Sequence, residues 1–314
     1  MAIDVRQLVR VARLYYEFGC KQDEIAEREG ISRSKVSRLL DRAIKEGIVK
    51  IEIVYPLQPV HELAESLREY FGLKKVVVIP VIVDHPDAVR DDLGRAVNSF
   101  LGEIVEDGDI IGVSWGTTLP FVVKHLDQYH VKNVTVVQLN GGVTKNYLST
   151  QSGSIVEGFV KSFNAVPYML PAPTIVDSTE LAQAISADSN VRQTLELARR
   201  ARIAVFGIGR ASYDSILVQA GYFKHGEYEE LLRKGAVGDI CSRFFRLDGN
   251  IADPELNQRT VGITLEDLAR KEYAIAVANG VEKAEAITGA LRGRYINTLF
   301  IDEAAAQRCL ELLE

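Results

Sequence analysis

The sequence predicts an α/β chain in two parts, an N-terminal winged helix-turn-helix followed by a larger Rossmann-like domain. Three observations carry that prediction. Residues 22–41 (QDEIAEREGISRSKVSRLLD) have the apolar spacing of two short helices joined by a tight turn. From Lys74 onward, short wholly apolar runs alternate with longer helical stretches, the pattern of a parallel sheet covered on both faces. Pro56 and Pro59 interrupt regular structure between these regions, so domains are expected at 1–55 and 56–314.

Taken in order, residues 5–18 place Leu8, Val9, Ala12, Tyr15 and Tyr16 at helical intervals, a helix to pack behind the motif. Gly19 ends it. In the motif, Ala26 is small enough for a close helix crossing, and Gly30 can take the positive φ of the turn. Ile25, Val36 and Leu39 make the core between the helices, and Ser32 is the expected N-cap of the second. That orientation leaves Arg33, Ser34, Lys35, Ser37 and Arg38 outward near a helix N-terminus, the residue types that read a DNA major groove. The second helix runs on to Gly47, a C′ glycine. Residues 48–54 alternate enough for a short wing strand, where Lys50 could touch phosphate.

Residues 60–71 form an amphipathic helix with Leu63, Leu67 and Tyr70 on one side, suited to connecting or dimerising. Apolar strands are expected at 76–83, 110–113, 134–139, 203–208, 274–278 and 296–301. Helices are expected at 89–105, 155–163, 191–200, 284–291 and 304–313.

At 47% hydrophobic and 25% charged, 314 residues are an ordinary globular composition with length for about two domains. Residues 1–10 show no apolar block after a basic start, and no run approaches the ~18 apolar residues of a membrane span, so a cytoplasmic protein is expected. Cys20, Cys241 and Cys309 are far apart without metal-ligand spacing, which points to reduced thiols and to no metal or cofactor. The net charge of −6 hides an asymmetry: residues 1–55 carry 11 basic and 9 acidic side chains, the remainder 26 and 34. Residues 32–50 alone hold six basic against two acidic, where phosphate contacts would fall.

Ligands of parallel sheets sit beyond the carboxyl ends of strands. Ser114-Trp115-Gly116-Thr117-Thr118 follows one strand and leads into a helix, offering N–H groups and hydroxyls to an anion, although the nucleotide P-loop pattern is absent. Gln138 and Asn140-Gly141-Gly142 follow another, with amides for sugar hydroxyls and glycines for close backbone approach. Lys283, just after Asn279-Gly280, supplies the positive charge that the threonines lack. Asp239, in the stretch GAVGDICSR, can accept hydrogen bonds from a sugar or pair with Arg243. Each also has a purely structural reading as a turn, cap or surface group. Gly207-Ile208-Gly209 is a weak signal, equally suited to a turn and to lining the pocket.

The stretches LYYE (14–17), GVSWGTT (112–118), VVQLNGG (136–142), GAVGDICSRFF (235–245) and GRYIN (293–297), with the helix-turn-helix, resemble the SorC/DeoR family of bacterial sugar-binding transcriptional regulators. They run in the family's order across almost the whole chain. The resemblance implies a winged DNA-binding domain and an effector domain similar in fold to sugar-phosphate isomerases and deaminases. It also implies a phosphorylated sugar effector and dimers or tetramers on operator DNA. By that resemblance Gly116, Thr117, Thr118 and Lys283 hold phosphate, while Gln138, Asn140, Gly141 and Asp239 face the sugar. Members can carry lysine where this chain has Asn140, and only the lysine could form a Schiff base with an aldehyde sugar. Non-covalent binding is therefore expected here.

The expected function is repression of a sugar or nucleoside catabolic operon, relieved by a phosphorylated sugar. The rival is a sugar-phosphate isomerase or deaminase carrying a DNA-binding arm. That chemistry needs a positioned base, and Asp239 has no histidine or second acid at recognisable spacing, so no catalytic residue is assigned.

Overall fold

Residues 5–49, 51, 58–82, 85–142, 152–223 and 226–313 are described in a computed structural model of the chain. Cα packing divides it into two units, Met1–Pro56 and Leu57–Glu314.

The first unit holds α1 (Val5–Tyr16), α2 (Gln22–Glu29) and α3 (Arg33–Lys45). Its core is Leu8, Val11, Ala12, Ile25, Val36, Leu39, Leu40 and Ala43. The inward face of α1 is thus Leu8-Val11-Ala12, and Val9, Tyr15 and Tyr16 are exposed rather than packed. Three short helices bury only one narrow stripe of each, and Val9 lies about 100° around the helix from Leu8. Ser32 caps α3 by accepting the Lys35 N–H at 3.3 Å, and Gly30 ends α2 in the left-handed conformation. The Arg10 guanidinium fastens α1 to α2 through both carboxylate oxygens of Glu29, at 2.6 and 2.7 Å. The expected wing strand and Lys50 lie outside the described residues, apart from 48, 49 and 51.

The second unit is built on seven strands: β1 (Lys75–Ile79), β2 (Ile110–Val113), β3 (Thr135–Gln138), β4 (Val166–Tyr168), β5 (Ile203–Gly207), β9 (Tyr273–Ala278) and β10 (Thr298–Asp302). All pair in parallel, in the order β1-β10-β9-β5-β2-β3-β4. Between β5 and β9 a small antiparallel sheet forms from β6 (Gly209–Arg210), β7 (Ala236–Ile240) and β8 (Arg243–Arg246). In β9, Ala274, Ala276 and Ala278 enter one buried cluster while Ile275 and Val277 enter another, which is why the strand reads as an unbroken apolar run.

One face is covered by α5 (Pro86–Ile104), α6 (Leu119–His125) and α7 (Ser152–Phe163). After α7 come α8 (Thr179–Ala187), α9 (Ser189–Arg200), α10 (Ile216–Gln219), α11 (Glu227–Arg233) and α12 (Pro254–Gln258). The other face is covered by α4 (Gln58–Phe71), α13 (Leu265–Ala269), α14 (Ala284–Arg292) and α15 (Glu303–Glu311). Pro59, expected in the linker, stands in the first turn of α4, where a missing N–H costs no helical bond. Leu67 is fully buried against the sheet and Leu63 packs beside it, but Tyr70 is 64% exposed, so the inward stripe is Val60-Leu63-Leu67. β4 and the antiparallel sheet were not expected; their strands are two to five residues long, and β4 contains Pro167.

α5 and α6 lie in close contact because Gly94 presents no side chain: a Cβ there would stand 2.4 Å from the Phe121 carbonyl oxygen. Gly94→Ala is expected to cost about 1–3 kcal/mol by overpacking. Urea denaturation of the variant checks this, and an unchanged midpoint would show that the two helices are free to part.

Candidate functional site

The strand order reverses at β2. From β2 the chain proceeds to β3 and β4 on one side, whereas β5, β9 and β10 lie on the other. Between the carboxyl ends of β2 and β5 no crossover can cover the sheet, and a crevice opens there. It holds a cavity walled by Gly116, Thr117, Thr118, Asn140, Asp239 and Lys283. Ser114, Trp115, Gly207, Ile208, Gly209, Ile216, Leu217, Cys241 and Ser242 complete the wall.

Gly116 has φ 153° and open space where a Cβ would stand, so the backbone of the loop faces the cavity without obstruction. Thr118 is the N-cap of α6, yet its side chain makes no capping hydrogen bond. α6 has seven residues, and a helix of two turns adds little dipole, so the positive charge at this wall is that of a side chain. Lys283 provides it, at the end of a 3-10 turn (Val281–Lys283) after β9. Burial pushes the Lys283 ammonium below the usual lysine range; Arg90 and Arg210 add to this, while Glu282 and Asp239 oppose it. Nearby in sequence, the buried Oδ1 of Asn279 has no hydrogen-bond partner among the described residues.

Asn140 is 1% exposed and held from two sides. Its Oδ1 accepts from Ser114 Oγ at 3.0 Å and its Nδ2 donates to Ser242 Oγ at 3.3 Å. Trp115 Nε1 donates to the Gly141 carbonyl at 2.9 Å, clasping the loops after β2 and β3 together. Thr174 Oγ1 hydrogen-bonds Ser242 Oγ at 3.0 Å.

Asp239 stands on β7 opposite Gly209 of β6, where a Cβ would fall 2.1 Å from its Oδ1. Its Oδ2 accepts the Ser242 N–H at 3.0 Å. Burial pushes the Asp239 carboxyl up to about 6, against the opposing pull of that N–H and of the Lys283 ammonium. The pairing with Arg243 does not form. Arg243 donates instead to the carbonyls of Asn257, Thr260, Gly262 and Ile263, at 2.6 to 3.1 Å, with Asn257 Oδ1 a further acceptor. The turn between β7 and β8 places Cys241 at φ 52° and Ser242 at φ 68°, conformations usually given to Asn-Gly. This strain is held by the surrounding bonds and turns both residues into the cavity wall.

Two expected residues stand behind the wall. Gln138 spends its amide on the Asn140 carbonyl at 2.8 Å and the Leu170 N–H at 3.2 Å, so it props the loop. Gly141 packs against the Ala172 and Pro173 carbonyls, each 2.5 Å from where its Cβ would be. Sequence reasoning missed Cys241, Ser242 and Trp115, although all three lie in motifs it quoted. It also missed Ile216 and Leu217, which carry no sequence signal. His61, His85, His125 and His130 lie outside the cavity wall, and His225 lies outside the described residues. In the first unit Arg33, Ser34, Lys35 and Arg38 are exposed on α3 and Ser37 is half-buried. Arg38 Nε donates to the Ser34 carbonyl at 3.3 Å, and Arg33 is 3.5 Å from Asp23.

Residues 55–311 match the family described as "Putative sugar-binding domain", and residues 19–50 match winged helix-turn-helix DNA-binding. The chain is 38% identical to the deoxyribonucleoside regulator of Bacillus subtilis, covering 95% of each protein. It is 30% identical to the sorbitol operon regulator of Klebsiella pneumoniae, covering 98% of each. The full-length crystal structure of that sorbitol operon regulator aligns over 98% of this chain and 99% of its own, with a TM-score of 0.78. The chain belongs to the SorC/DeoR family of sugar-binding transcriptional regulators. SorC/DeoR relatives are regulators and not enzymes, which sets aside the isomerase or deaminase rival. No helix among the described residues is long and apolar enough to cross a membrane.

The raised Asp239 carboxyl has a definite sign. Between the unfolded value near 4 and about 6, the folded chain holds more protons than the unfolded one, so this group's contribution to stability falls as pH rises through that window. Asp239→Asn removes the effect. Its stability relative to the wild type is expected to improve by about 1–3 kcal/mol between pH 4.5 and pH 7.5. Denaturant titrations at both pH values measure it, and a pH-independent difference would rule out the raised carboxyl.

Proposed function

We propose that the second unit binds a phosphorylated sugar non-covalently and thereby controls the affinity of α3 for operator DNA. The observation that carries this reading is one cavity walled by the Gly116-Thr117-Thr118 loop and the Lys283 ammonium together with Asn140 and Asp239. The loop and the ammonium suit the oxygens of a phosphate; the amide and carboxylate suit sugar hydroxyls. An amide at position 140 cannot form a Schiff base, which supports reversible binding. Gln138 and Gly141 act behind these groups as supports. The names of the relatives, a deoxyribonucleoside regulator and a sorbitol operon regulator, support control of a sugar or nucleoside catabolic operon.

The chain acts in the cytoplasm as a homo-oligomer, a dimer or tetramer whose domains are 1–55 and 56–314. Paired copies of α3 take half-sites about 10 base pairs, or a multiple, apart. Arg33, Ser34, Lys35, Ser37 and Arg38 make the DNA contacts. The ligand relieves repression through its unequal affinity for two arrangements of the protein.

Thermal-shift and gel-shift measurements with a panel of sugar phosphates test the reading. A panel that moves neither melting temperature nor operator affinity would falsify it. Two variants separate the units. Arg38→Ala should weaken operator binding by about 1–3 kcal/mol and spare ligand binding. Lys283→Ala should abolish the ligand response and leave ligand-free operator binding intact. Identical behaviour of the two variants would refute the division of labour.

A further inference from the structure

α5 carries another cation, Arg90, which stands against α6 and outside the residues that wall the cavity. α5 and α6 run side by side in the same direction, because contacts advance together along both. The Arg90 guanidinium lies over the Phe121 ring at 5.5 Å, Asp91 accepts from Lys124 and His125 at 2.8 Å, and Asn98 donates to Asp127 at 3.1 Å. The first turn of α5 therefore lies beside the start of α6, directly after Gly116-Thr117-Thr118. Gly94 lets the two helices approach closely there, and Arg90 is half-buried beside the Phe121 ring.

Arg90 is incompletely used where it stands. Its Nε is buried with no hydrogen-bond partner among the described residues, and its Nη1 is 3.4 Å from the exposed Asp87. A buried guanidinium N–H without an acceptor carries a free-energy cost that an anion would remove. Arg90 also repels the Lys283 ammonium, so the two cations share a field that favours a doubly charged anion.

We propose that Arg90 is a further ligand-binding residue, closing over the phosphate oxygens that the Gly116–Thr118 loop and Lys283 leave uncovered. With two cations the site selects a dianionic phosphate monoester over singly charged or neutral sugars. This rests on reading the cavity as a phosphosugar site.

The test is calorimetric titration of the full-length chain with inorganic phosphate, using wild type, Arg90→Gln, Arg90→Lys and Lys283→Gln. Arg90→Gln is expected to weaken phosphate about 10-fold, and Arg90→Lys to recover most of that, with melting temperatures unchanged. Loss of phosphate binding in Lys283→Gln alongside wild-type affinity in Arg90→Gln overturns the role of Arg90 and leaves the cavity reading standing. Absence of phosphate binding in the wild type overturns both.

Discussion

A parallel sheet can leave its carboxyl ends uncovered only where successive crossovers depart in opposite directions, and this sheet does so between β2 and β5. Elsewhere alternate side chains along the strands are apolar on both faces and admit no polar group without a partner. Polar residues at strand ends are therefore gathered at the crevice. Ser114 and Asn140 come from the loops after β2 and β3, Lys283 from beyond β9, and Asp239 from the small antiparallel sheet inserted after β5. These residues are far apart in the chain, and the reversal of strand order makes them neighbours.

What keeps the neighbours in position is a second constraint, the buried Arg243. The residue is 5% exposed, and its guanidinium meets carbonyl oxygens from 257 to 263 rather than a carboxylate. Desolvation without an anionic partner pulls its pKa down to about 10. The arrangement persists because several carbonyl dipoles converge on the charge. The same segment is bonded to the loop after β3: the Ile263 N–H reaches the Leu139 carbonyl at 2.8 Å and the Gly141 N–H reaches the Val261 carbonyl at 3.1 Å. Arg243 thus locks the β7–β8 turn, the 257–263 segment and Asn140 into one frame. A ligand meeting that frame spends little of its binding energy on ordering the site.

Much of this was legible in the sequence, for identifiable reasons. The helix-turn-helix announced itself through Gly30, Ser32 and the Val36–Leu39 spacing, which are local rules of turns and caps. The long strands of the parallel sheet announced themselves as apolar runs. Gly116, Asn140, Asp239 and Lys283 could be picked out because polar residues at the ends of apolar runs are conspicuous. Gln138 was equally conspicuous and stands behind the wall, because its amide is taken up by the Asn140 carbonyl and the Leu170 N–H. Ile216 and Leu217 could not be found this way: an apolar residue on a four-residue helix is the same signal whether it faces core or cavity. Arg90 was hidden for a different reason, since its place depends on how closely Gly94 lets two helices approach.

The chemistry of the site also bears on how much switching it can deliver. Moving a two-state protein from one arrangement to the other, from about 1:99 to 99:1, needs about 5.5 kcal/mol of differential affinity. Two or three charge-assisted hydrogen bonds, at roughly 1.5–3 kcal/mol each, reach that range when they form in one arrangement only. The anion end of the cavity can therefore carry the switching energy by itself. Under the proposed reading Asn140 and Asp239 serve selection instead, because their amide and carboxylate leave a mismatched hydroxyl pattern unpaired. Burial pushes the Asp239 carboxyl up and the Lys283 ammonium down, so each charge is costlier to hold there than in water. Under the proposed reading a phosphate meets the ammonium and a hydroxyl meets the carboxylate, so one molecule carrying both groups offsets both costs.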